Sequence, residues 1–396
     1  MRAAMATLAA DIRTRPAARS RAAPVLVSNW LLGVAGLVFL MVIVGGITRL
    51  TESGLSITRW EPFTGAMPPI GHAAWEQQFA LYRQSPQYQL MNRGMSLGEY
   101  QWIFFWEWFH RLLGRVIGLT FALPLIVFAV TRRIPKGFTG RLVLLLALGG
   151  LQGTVGWWMV MSGLEGGRVN VSHIRLALHL SFALTLLAAL LWTALDLRSA
   201  AARRPLARRA LLQRAQVGDT TRRSASAPPP RAGGGARGAR EATPLARACL
   251  AFAALLAVQI LFGAFTAGLR AGHLYTTWPL MGGGLVPVEI GALGGLADAV
   301  YNPVTVQFVH RTLALFVAGS ALWLAARASA AGAGWRAGAL AAAVIVQFAL
   351  GVLTLVHNVP VALGVMHQAC AALLVAATVA LAHWALAGHR ARVAAA

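Results

Sequence analysis

The chain has 396 residues, of which 57% are hydrophobic and only 12% charged. An ordinary soluble domain carries about twice that charged fraction, so a soluble globular fold is excluded. The formal net charge of +23 would suit nucleic acid, but the basic residues sit in short stretches between apolar runs. That distribution excludes nucleic-acid binding and points to anionic lipid as their contact.

In chain order, residues 1–24 form a basic tail. The first 23 residues hold five arginines and one acid. A mitochondrial transit peptide has such a composition, and so does a cytoplasmic tail obeying the positive-inside rule, which is the preferred reading. Apolar runs follow at Val25–Ile47, Trp102–Val130, Leu142–Met161 and Ile174–Leu195, then at Ala248–Gly268, Val306–Ala326, Ala337–Val356 and Val361–Ala387. About twenty apolar residues span a bilayer as a helix, so eight transmembrane helices are predicted. The alternating pattern of a membrane barrel is absent. The stretch Arg198–Arg247 contains twelve arginines and two acids, and within it Ser224–Arg240 is rich in Pro, Gly and Arg. Residues 198–247 are expected to be a disordered linker, and residues 388–396 a second tail. With eight alternating spans, all the basic stretches face one side, so both termini are placed in the cytoplasm and 48–101 outside. Cys249 and Cys370 lie within apolar runs, and no disulfide is expected.

The chain repeats itself. The first span ends in GGITRLTESG and the fifth in GAFTAGLRAG; the second carries EWFHR and the sixth QFVHR; the fourth carries RLALHL and the eighth GVMHQA. Three spans share a glutamine followed four residues later by glycine: Gln152/Gly156, Gln259/Gly263 and Gln347/Gly351. An even number of spans per repeat gives both halves the same orientation. The predicted fold class is therefore an all-α polytopic membrane protein, its eight helices arranged as two pseudo-symmetric four-helix bundles, residues 25–197 and 248–387.

Ten histidines are present. Four recur at matching places, His110 and His179 in the first half and His310 and His367 in the second, each expected within about two turns of the outer helix end. Two imidazoles facing each other across a bundle can be the axial ligands of haem iron, so two haem sites are implied. Structural zinc, which takes four ligands on local spacing, fits poorly. Gly114, Ala183, Ala314 and Ala371, four residues beyond the histidines, offer room beside each ligand and equally suit close helix packing. His173, His357, His72, His273, His383 and His389 are expected at solvated or interfacial positions. Arg111, Arg115, Arg175 and Arg311 lie where they could pair haem propionates or snorkel to the interface.

The halves differ three residues before the second- and sixth-span histidines, where Glu107 faces Gln307. An i,i+3 pair shares a helix face, and an intramembrane carboxylate is by default a functional hypothesis. The first half is therefore expected to do chemistry and the second to hold an electron-transfer haem. The bland alternative for Glu107 is an ion pair with Arg111.

These residues resemble a known family. EYQWIFFWEWFHRLLGR (Glu99–Arg115) resembles the signature of the haem A synthases, and Gly45–Pro69, Gln152–Leu164 and Tyr275–Pro287 resemble that family's outer loops and span ends. The resemblance implies oxidation of a ring methyl of haem O to a formyl group by successive hydroxylations. It implies haem B as cofactor on His310 and His367. It places the substrate haem O between His110 and His179, with Glu107 as the catalytic carboxylate; on their position and chemistry, Arg111 and Arg115 would lie beside the substrate haem and Arg311 beside the cofactor. Expected partners are the haem O-producing enzyme, an unidentified electron acceptor, the lipid bilayer and a possible second copy of the chain. The expected location is the bacterial inner membrane. The chain departs from some members in lacking an outer-loop cysteine pair, and its linker is longer than the resemblance requires. A di-haem b-type electron-transfer protein is the rival reading, disfavoured by Glu107. A two-repeat transporter is disfavoured because Pro124 has no counterpart in the sixth span.

Overall fold

The computed structural model describes the backbone of residues 2–59, 61, 64–221 and 244–395, and side chains within 23–59, 61, 64–202 and 244–387. The described residues form helices joined by turns and loops, with no strand among them beyond one isolated β-bridge between Met281 and Gly284. Eight of the helices are long and apolar enough to cross a membrane, as predicted. They are α1 (Arg2–Leu50), α4 (Leu97–Val130), α5 (Thr139–Leu164), α6 (His173–Thr221), α7 (Pro244–Gly268), α9 (Pro303–Ala330), α10 (Trp335–Val356) and α11 (Val361–Ala395). The short helices α2 (His72–Arg83), α3 (Pro86–Met91) and α8 (Gly295–Tyr301) belong to the loops that follow α1 and α7. The chain is a polytopic membrane protein.

Helix contacts close two rings. In one, α1 packs on α4, α4 on α5, α5 on α6 and α6 back on α1; in the other, α7 packs on α9, α9 on α10, α10 on α11 and α11 back on α7. The rings meet through α1 against α11 and through α6 against α7 and α11. In each ring the end away from the paired histidines holds a buried apolar cluster. Val27, Leu31, Phe121, Leu142, Leu190 and Leu197 fill the first, and Cys249, Leu256, Leu324, Leu340, Leu374 and Leu381 the second. In the first ring the histidine-bearing end keeps open space, described below.

Two expectations about boundaries change. Helix α4 starts five residues before the apolar run, because Ser96 and Glu99 form a reciprocal capping box. Tyr100 and Phe104 then pack against Phe79 of α2 in an outer aromatic cluster with Tyr82. At 1.5 Å per residue, 34 residues make a helix longer than a bilayer's hydrocarbon thickness. His110 consequently lies thirteen residues from its helix start, deeper along its helix than expected, whereas His179, His310 and His367 lie six, seven and six residues in. The second change concerns the linker. Helix α6 continues through Thr221, and Arg198 bonds the Asn29 side chain on α1 at 2.9 Å, so residues 198–221 are helical rather than irregular. The low-complexity stretch Ser224–Arg240 lies outside the described residues, as do the side chains of both tails.

His383 also differs from expectation. It is buried, and its Nε2 lies 3.0 Å from Asp196, which Arg141 pairs at 2.6 Å. The histidine is thus part of an inner-end cluster joining α6 to α11, not a solvated group. His173 contacts the Val300 carbonyl at 3.0 Å, while the side chain of His389 lies outside the described residues.

Candidate functional site

Each of the four matched histidines is seated against a glycine of the preceding span. A Cβ added to Gly45 would stand 3.0 Å from the His110 ring, one on Gly156 2.8 Å from His179, one on Gly263 3.0 Å from His310, and one on Gly351 2.9 Å from His367. Only glycine leaves room for an imidazole so close to a neighbouring helix backbone. The expected source of space, the small residue four positions on, is secondary: Ala183 lines the cavity described below, and Gly114 meets Met41.

The glutamines of the repeat lie one turn before three of these glycines, on the same helix face. Gln152 Nε2 is 3.1 Å from His179 Nδ1 and donates to the His179 carbonyl at 3.0 Å. Gln259 repeats this with His310, at 3.1 Å to Nδ1 and 3.1 Å to the carbonyl. Gln347 lies 3.3 Å from His367 Nε2. The first span has Met41 at this place, and His110 Nδ1 is buried without a hydrogen-bond partner in the protein.

His110 and His179 share the wall of a cavity of about 180 Å³ that is partly open to its surroundings. Glu107, Arg111 and Gln152 line it too, and the second half contributes Ala264, Ala267 and Gln368. His310 and His367 lie within electrostatic range of one another in the second half. No group of three or more His, Cys, Asp or Glu side chains gathers among the described residues; the histidines come in twos.

Glu107 is 3% exposed and fully engaged. One carboxylate oxygen accepts from Ser56 Oγ and the Ile57 amide, both at 2.8 Å, and the other from Arg111 at 2.6 Å. The ion pair with Arg111 therefore exists, and it exists at the cavity wall. In the second half, Gln307 donates to the Tyr275 carbonyl at 2.9 Å, and Arg311 donates to the carbonyls of Thr277, Pro279 and Leu280. These partners are all backbone carbonyls, with no carboxylate among them. Arg115 reaches outward to the Glu61 carbonyl at 3.0 Å, and Arg175 reaches the Trp158 carbonyl at 2.8 Å; neither lines the cavity.

Sequence reasoning missed the rim. Arg270 pairs with Glu52 at 2.5 Å and donates to Asn170 at 2.9 Å, while Arg49 donates to the Ala267 carbonyl at 2.9 Å. These bonds tie the ends of α1 and α7 together above the cavity. The matched span-end motifs GGITRLTESG and GAFTAGLRAG contained the signal, since Glu52 and Arg270 both take left-handed φ (56° and 54°) just after their spans.

Beyond the spans, the loop before α9 is organised by Asp298. Hydrogen bonds from Thr305 and Asn302, then from the Leu293 and Gly291 amides, hold its carboxyl well below the usual range. The Tyr82 phenol is pushed up to about 12, chiefly by burial, with the nearby charges of Glu107 and Glu52 adding to it.

A family model described as cytochrome oxidase assembly protein matches residues 28–379. Among curated relatives, the heme A synthase of Parvibaculum lavamentivorans is 46% identical over 345 residues, covering 86% of this chain and 88% of its own length. The heme A synthase of Rhizorhabdus wittichii is 46% identical over 368 residues, covering 93% and 96%, and that of Caulobacter vibrioides 44% identical over 361 residues, covering 90% and 95%. On this match, which runs from the start of the first span into the last, the chain belongs to the cytochrome oxidase assembly protein family that includes the heme A synthases.

Proposed function

We propose that the chain is a haem A synthase that oxidises one ring methyl of haem O to a formyl group by successive hydroxylations. The observation that carries this reading is the placement of Glu107 on the wall of the cavity shared by His110 and His179, with Gln307 in the corresponding place of the other half. The names of the curated relatives support the same activity.

The stoichiometry defines what the residues must do. Each hydroxylation joins a water oxygen to the methyl carbon and releases two electrons and two protons. A second round gives a geminal diol, which loses water to leave the formyl group. Removing electrons from a methyl group builds positive charge on the macrocycle. Glu107, held in place by Ser56, Ile57 and Arg111, stabilises that charge and takes a proton from the attacking water. His110 and His179 hold the substrate's iron, and Arg111 keeps Glu107 oriented. His310 and His367, each against a glycine and a glutamine, fit a haem B; that group, when bound, supplies a one-electron relay to an acceptor still to be identified. Both termini are cytoplasmic in this reading, the membrane is the bacterial inner membrane, and haem O arrives from the enzyme that makes it.

Mass analysis of the haems extracted from purified protein tests the reading. Haem B together with haem O, haem A or a hydroxylated intermediate is expected. Haem B alone in both sites would establish the di-haem electron-transfer protein instead.

A further inference from the structure

Two axial imidazoles hold the iron of a macrocycle but leave the ring free to turn about the axis they define. An enzyme that oxidises one ring methyl therefore needs an off-axis contact to choose which methyl faces Glu107. Among the described residues, two guanidiniums line the first-half cavity, Arg49 and Arg111. Arg111 is committed to Glu107 at 2.6 Å. Arg49 forms no ion pair with any described residue, because Glu52, three residues on, gives its carboxylate to Arg270. One Arg49 Nη donates to the Ala267 carbonyl at 2.9 Å, and its Nε is buried without a hydrogen-bond partner. A guanidinium at a cavity wall with a buried orphan donor and no counter-charge calls for an anion.

Its position says which part of a ligand it meets. Gly45, which seats the His110 ring, lies one helical turn before Arg49 on the same face of α1. Arg49 thus stands about 6 Å further toward the outer end, beyond the axial ligand. The matched span ends show that this residue belongs to one half only. Aligning GGITRLTE with GAFTAGLR sets Gly45 against Gly263, Arg49 against Ala267 and Glu52 against Arg270. The matched positions also meet in space: Glu52 pairs with Arg270, and Arg49 bonds Ala267. The first of these couples is neutral. The second leaves one positive charge, contributed by the half that carries Glu107.

We propose that Arg49 binds a carboxylate of the substrate macrocycle, a propionate of haem O, and so fixes the rotation that presents one methyl to Glu107. The inference rests on the haem A synthase reading. The fork of Nε–H and Nη–H matches a carboxylate bidentately. Arg115 and Arg175, expected in this role, bond carbonyls away from the cavity, and Arg111 is left to orient Glu107.

The test uses purified protein that retains its second-half haem, with haem O and its dimethyl ester as probes of the first-half site. The ester keeps the ring and iron and removes both negative charges. Absorbance titration should show wild type binding haem O about 10-fold or more tighter than the ester. Arg49→Gln should lose about 10-fold or more in haem O affinity and bind the ester as wild type does. Arg49→Lys, which keeps the charge without the fork, should recover part of the preference. Haems extracted from Arg49→Gln should include products oxidised at other ring methyls. Absence of the acid-over-ester preference in wild type would overturn the inference. Equal losses for acid and ester in Arg49→Gln, the result of a mere brace between α1 and Ala267, would overturn it too. Either outcome leaves the enzyme reading intact. A folded wild-type protein that binds neither probe in the first half would overturn both.

Discussion

Glu107 shows how a carboxylate is kept at membrane depth. Its three donors come from a serine hydroxyl, a backbone amide and a guanidinium, which together meet the cost of taking a charge out of water. Glu107→Gln keeps shape and some of these bonds but cannot accept a proton. Conversion of haem O to haem A is expected to fall by about 10²–10⁴-fold, with haem content unchanged, as read from the ratio of extracted haems; undiminished conversion would remove Glu107 from the chemistry. His310→Ala is expected to lose the second-half haem altogether, and a full low-spin haem B spectrum in that variant would refute its assignment. Tyr82 belongs to the same scale. Its phenol donates to Gln87 at 3.0 Å and accepts from Asn92 at 2.7 Å, and with its pKa near 12 it stays neutral at any working pH. Tyr82→Phe leaves both amides short of a partner, a cost of about 1–3 kcal/mol, to be measured as a lower Tm that does not vary between pH 6 and pH 9.

At the scale of the element, the backbone rather than the side chain decides where an imidazole sits. Gly351→Ala would put a methyl 2.9 Å from the His367 ring; overpacking of this kind costs about 1–3 kcal/mol and should displace the ring, with loss of haem B absorbance. Gly33→Ala is the control, since nothing lies within 4 Å of a Cβ there, and a normal spectrum is expected. The loop before α9 makes a pH prediction. The Asp298 carboxyl is depressed in the folded protein, so the stability it contributes is present above its ordinary value of about 3.9 and is lost as pH falls towards the folded value. Asp298→Asn should therefore lower Tm by a constant amount from pH 8 to pH 5, with the gap to wild type closing below about pH 4; a gap that widened in acid would refute the role of the carboxylate. Spans and histidines were legible in the sequence because twenty apolar residues and a repeated motif are local signals. The outward extension of α4 was not, because it depends on Tyr100 and Phe104 meeting Phe79 from another helix. The Gln–Gly spacing was legible as a repeat, but its target was not, since Gln259 and His310 are 51 residues apart.

For the whole molecule, the pairing of the rings was the least legible feature. Contacts such as Gln368 to the Val42 carbonyl at 2.7 Å, or His383 to Asp196, join residues 326 and 187 positions apart with no sequence period to announce them. They nonetheless set the site, because Ala264, Ala267 and Gln368 complete the cavity whose histidines and carboxylate come from the other half. At the inner end, Asp196 receives Arg141 from its own ring and His383 from the other. The cavity's shape is therefore a joint property of two stretches of gene, and a crossover between them would unite walls selected in different company. A chimera of this chain's first half with a relative's second half should work only where small residues stand at 264 and 267 and an amide at 368. The halves look like copies, but they are inherited as one.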